Sequence, residues 1–210
     1  MSYGREAQWK RTRRDCNRGR SSVDPDVGSS LATLYFSTKQ EKRFKRIESF
    51  YAELAEEVRD LQERLAPVES HDQEKLASLI EDLNDRVERE HLELKRRYFK
   101  NFMRNTLLTP TNNNYDERKY FLDALSALSL LECEMLAFLK QKAGMVEVRT
   151  IQKPGTPQYA IVGAIGRLST YGFVRTVQLS MTIGGGADNA LAQGVELSDY
   201  GVRFVRFCLE

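Results

Sequence analysis

The sequence predicts a mainly α-helical chain with a small β wing, an α+β fold. Three observations carry this. Two apolar stripes at helical spacing are separated by Pro67. A run of short apolar helical segments follows a polar loop at residues 108–117. Two alternating β segments then flank a Gly-rich tip, "GGGADNALAQ". The hydrophobic share of 41% is enough for a core, and the charged share of 30% implies a well-solvated surface.

Residues 1–20 hold seven bases, Arg5, Lys10, Arg11, Arg13, Arg14, Arg18 and Arg20, against Glu6 and Asp15. The whole chain is only +2, so the basic character belongs to this arm. Such an arm binds phosphate backbones by counterion release. Residues 21–38 mix Ser, Asp, Pro and Gly and read as a linker, so residues 1–38 are expected to be a flexible arm. No apolar run is long enough for a membrane span and no apolar region follows the basic N-terminus. Cys16, Cys133 and Cys208 are odd in number and widely spaced, which suggests reduced thiols and a cytoplasmic protein.

Residues 39–110 are expected to form a helical hairpin. Phe44, Ile47, Tyr51, Leu54, Val58, Leu61 and Leu65 alternate in steps of three and four, an apolar heptad seam. Pro67 ends that helix. "SHDQ" opens the next, with Ser70 and Gln73 at capping-box spacing. Its stripe runs Leu76, Ile80, Leu83, Val87, His91, Leu94, Tyr98, Phe102. Consecutive steps of four drift from a heptad, so the hairpin is expected to dock on other helices. His91 is read as a hydrogen-bonded histidine of that interface.

Residues 111–210 form the second expected domain. Asp116 is a candidate cap, a bend is expected at Ser126–Ser129, and Gly144 closes the helical pair. "MVEVRTI" has strand character and "QKPGTP" is a turn. A helix is expected from about Pro157, then the β wing, then an amphipathic C-terminal helix. From Leu128 onward this order resembles winged-helix domains. Tyr171, Gly172, Phe173 and Val174 match the turn before the wing, and Leu197, Ser198 and Gly201 match the start of the closing helix. The helix that usually precedes the recognition helix is replaced by "QKPGT", so the expected domain is a degenerate winged helix. A second resemblance is carried by Phe99, Asn101, Phe102, Phe121, Leu125, Leu128, Ser129, Glu132, Met135 and Leu136. It is to the bacterial abortive-infection alpha family, which implies a phage-resistance setting and no established chemistry.

The helix at 158–169 would be the DNA-reading element of a winged helix. It offers Gln158, Arg167 and Ser169 among Tyr, Ala, Ile, Val, Gly and Leu, and the Gly-rich tip has no base. A base-reading face needs more polar and cationic side chains than this. No nucleophile, metal-ligand or phosphate-loop pattern is present, and none of a catalytic residue, metal or cofactor is expected. The sequence therefore predicts a non-enzymatic interaction protein that dimerises or docks on a protein partner. Its candidate contact residues are Ile47, Leu54, Val58, Leu61, Ile161 and Ile165. The alternative is a nucleic-acid-binding regulator using the basic arm and Arg167.

Overall fold

Helix α1 (Pro25–Asp60) opens a chain that is helical over most of its length. The computed structural model describes residues 25–142, 144–180 and 189–210, with side chains from residue 40 onward apart from 62 and 68. Two units separate by their contacts, Met1–Arg43 and Phe44–Glu210, and the side-chain packing described below concerns the second. Residues 25–38, expected as linker, are helical. Pro25 fits the first helical turn, where its missing amide costs nothing.

The first stripe turns inward, but not as a heptad seam, and its helix stops at Asp60 rather than at Pro67, with a 3-10 turn at Gln62–Arg64 between. Phe50 and Leu54 are buried, Ile47, Tyr51 and Val58 pack partly against them, and Phe44 stays exposed. The apolar surface of this helix lies on neighbouring helices of the same chain, so a 3.6-residue period replaces 3.5.

The second stripe is two helices, α2 (Gln73–Arg89) and α3 (Glu93–Leu108). The cap of α2 is Asp72, not Ser70. Asp72 accepts from the Lys75 amide at 3.2 Å, while the Ser70 hydroxyl donates to the Pro67 carbonyl at 2.6 Å. No Pro or Gly marks the break at residues 90–92. Side chains hold it: Glu90 Oε1 accepts from the Leu92 amide at 2.9 Å, and Arg96 donates to the carbonyls of Glu90 and His91. The break lets Leu83 and Val87 on one helix and Tyr98, Phe99 and Phe102 on the next all reach the core.

The expected bend at 126–129 is a full break between α4 (Tyr115–Ala127) and α5 (Leu130–Lys140). Ser129 and Glu132 form a capping box there, each side chain bonding the other's backbone amide. Asn114, not Asp116, is the N-cap of α4. Past Gly144, at φ +106°, come β1 (Val146–Glu147), α6 (Gln158–Thr170), β2 (Val174–Gln178), β3 (Gln193–Leu197) and α7 (Asp199–Phe204). A single π-helical turn, Val205–Leu209, follows α7. The three strands form one antiparallel sheet in the order β1-β3-β2, with Thr176 opposite Val195 and Val177 opposite Gly194.

The parts expected as separate domains, 39–110 and 111–210, share one cluster of buried side chains running from Phe50 to Cys208. An aromatic group joins them to the C-terminal segment. Phe173 stacks on Phe204 with ring centres 4.3 Å apart, and Phe121 meets Phe204 edge-on at 5.3 Å.

Candidate functional site

Helix α6 buries its aliphatic side chains. Ile161, Ala164, Ile165 and Leu168 face the core, and Ile161 and Ile165 are at most 2% exposed. The expectation that Ile161 and Ile165 contact a partner is thereby corrected: α6 has one greasy face, and the sheet and α5 need it. Leu54 is likewise core, and Ile47 and Val58 pack against the core. Leu61 is half-buried at the end of the first stripe.

The outward face of α6 holds Tyr159, Ala160, Gly163, Gly166, Arg167 and Thr170. No ridge of cations lies there. Arg167, the one base, is committed inside the chain: Nη2 donates to the Ala127 carbonyl at 3.0 Å and Nε stands 3.2 Å from Glu132, whose carboxylate is 2% exposed. A guanidinium holding a buried carboxylate is not free to fork onto a base edge. Arg5, Lys10, Arg11, Arg13, Arg14, Arg18 and Arg20 lie outside the described residues, as do positions 181–188 of the wing tip.

The thiols of Cys133 and Cys208 are buried. Burial pushes Cys133 up to about 12, against the pull of nearby Lys95, and raises Cys208 well above its usual range. Both are protonated at neutral pH and carry no nucleophile. His91, expected within the hairpin interface, is exposed past the end of α2, with Nδ1 3.4 Å from Arg46 Nη1. No group of three His, Cys, Asp or Glu side chains at metal-binding distance occurs among the described residues, and no described helix is long and apolar enough to cross a membrane.

The surface the sequence reading missed is the sheet. β2 is an edge strand, and its residues beyond Val174 are exposed. Phe173 accepts from the Ser198 amide and Leu179 donates to the Ala192 carbonyl, each at 3.0 Å, so both bond toward β3. By alternation Thr176 and Gln178 turn their backbone amides and carbonyls to the open edge. On the outer face Met145 and Leu179 close over Gly194, and Val177 lies opposite that glycine. These three apolar side chains are 41%, 49% and 49% exposed for Met145, Val177 and Leu179. An alternating strand beside a Gly-rich loop was visible in the sequence. That β2 lies at an edge is decided only by strand order. No protein-family model, curated protein or solved structure matches this chain.

Proposed function

We propose that the chain is a non-enzymatic interaction protein of the bacterial cytoplasm that works as a homodimer through the open edge of β2. The observation that carries this is the edge at Thr176 and Gln178, unpaired among the described residues, beside exposed Val177 and Leu179. Exposed strand edges recruit further strands. A second copy is the occupant that needs only this one surface. Antiparallel pairing of Thr176 with Gln178 of the second copy satisfies the outward backbone groups of both. It also sets Val177 against its own counterpart and extends the apolar strip of Val177, Leu179 and Met145 across the twofold axis.

The reading keeps the winged-helix type for the C-terminal part. The order α5, β1, α6, β2, β3, α7 supports it, with the 3-10 turn Val148–Thr150 standing where a further helix is usual. The phage-resistance setting rests on the resemblance alone. The residues carrying it, such as Phe99, Phe102, Leu125 and Leu136, are core positions here. They speak for shared packing and not for chemistry. Sedimentation equilibrium of the full chain tests the proposal: a dimer that dissociates on dilution is expected, and a monomer at every concentration sinks it.

A further inference from the structure

Five buried side-chain polar atoms among the described residues lack a hydrogen-bond partner, and three of them line one cavity: Asn114 Oδ1, Arg118 Nε and Glu117 Oε1, the last ion-paired with Arg203. The cavity, of about 520 Å3, opens between the end of α3, the first turns of α4 and the C-terminal helical segment. Arg118 is 2% exposed. Its Nη atoms donate to the carbonyls of Thr106, Thr109 and Pro110 at 3.3, 2.9 and 3.2 Å, closing the open end of α3. Those bonds account for the terminal nitrogens. They leave Nε without an acceptor, and the carboxylate of Glu117 is the one countercharge among the lining residues.

A buried charge is costly unless it is fully paired. Burial lowers the Arg118 pKa to about 10, so the group is still a cation at neutral pH. Its neighbour Glu117 is shared with Arg203, with Oε1 3.0 Å from Nε. Arg64 and Arg206 bring the cavity to four guanidiniums against one carboxylate. The N-cap of α4, Asn114, makes no side-chain bond to the first-turn amides, so the positive end of that helix points the same way. Leu108 and Phe207 supply an apolar wall.

We propose that this cavity binds a small oxyanion carrying an apolar body, its carboxylate or phosphate head against Arg118, Arg203 and Arg206 and its body against Leu108 and Phe207. The head supplies further countercharge to the four guanidiniums that one carboxylate leaves in excess. A volume of a few hundred Å3 is the size class of small-molecule sites, with room for one ring. This site stands apart from the sheet edge, and neither proposal depends on the other.

The test is calorimetric titration of the full chain with benzoate, phenyl phosphate, inorganic phosphate and neutral benzamide. Benzoate or phenyl phosphate is expected to bind at least about tenfold more tightly than benzamide, and the tighter of the two names the head group. The double variant Arg203→Ala/Arg206→Ala is expected to weaken that binding by about tenfold or more. Glu117→Gln removes the one repelling charge and is expected to tighten it. Arg118 is left in place because it holds the end of α3, and both altered arginines are exposed, so folding is checked simply by thermal melting. Equal binding of benzamide, no binding of either ring-bearing anion, or unchanged affinity in the double variant overturns the proposal. Inorganic phosphate binding as tightly as phenyl phosphate overturns its apolar half.

Discussion

The backbone of Phe173 closes directly on Gly201. A methyl group added at Gly201 would overlap the Phe173 carbonyl oxygen and lie 2.8 Å from its carbonyl carbon. The same oxygen accepts from the Ser198 amide at 3.0 Å, so the turn before β2 and the start of α7 share one acceptor. Gly201→Ala gains about 1 kcal/mol of helix propensity. Overpacking against backbone, which has no rotamer to yield, costs about 3 kcal/mol and wins. Urea denaturation is expected to show a net loss of roughly 2 kcal/mol. A stabilised variant would mean that α7 is free to shift.

The capping box at the head of α5 predicts a smaller effect. Ser129 Oγ accepts from the Glu132 amide at 3.3 Å, and Glu132 Oε2 takes the Ser129 amide in return. Ser129→Ala removes the first bond and is expected to lower stability by about 1 kcal/mol, read as a fall in melting temperature.

Edge pairing of β2 makes a selective prediction. Proline at position 176 deletes only the outward amide, because Phe173 and Leu179 set the opposite alternation toward β3. Thr176→Pro is expected to give a folded monomer, and Val177→Lys the same by charge repulsion at the axis. Light scattering over a concentration series checks both. A Thr176→Pro protein that remains dimeric places the contact elsewhere.

His71 sets a pH response. It is buried, and burial together with the nearby Arg118 cation holds its pKa below the usual 6.5. The folded state thus prefers the neutral ring. That contribution is complete above 6.5 and is lost as pH falls through the depressed folded value. Urea midpoints measured from about pH 7.5 down to about pH 5 should fall more steeply for the wild type than for His71→Gln. Parallel curves would assign the acid response to other groups.

Arg167 predicts a dissociation of roles. Arg167→Ala strips the partner from buried Glu132 and is expected to cost about 1 kcal/mol of stability. Retention on a DNA column is expected to stay as in the wild type, since the guanidinium already serves Glu132 and Ala127. A large loss of DNA affinity would return α6 to a reading role.

Helix periods, the break near Ser129 and the turn before α6 were legible in the residues, because each depends on neighbours within one helical turn or one strand. Pro67 did not mark the end of the first helix, which stops at Asp60. The break at residues 90–92 was not. It is held by Arg96 and Glu90 reaching back to backbone groups, and no composition marks it.

The sequence by itself determined which segments are greasy on one side, but not the helix ends, since Asp72 and Asn114 cap where Ser70 and Asp116 were expected. It also determined that α6 is poor in cations. Only the tertiary structure decided what each greasy side meets. Ile161 and Ile165 turned inward because α6 packs against α5 and β2, while Val177 and Leu179 were left outside because they alternate onto the outer face of the sheet. Arg118 is a residue of an ordinary polar helix start in the sequence. Its burial among the carbonyls of Thr106, Thr109 and Pro110 arises where α4 folds back on the end of α3. Such a charge environment depends on segments brought together in space, and local spacing carries no record of it.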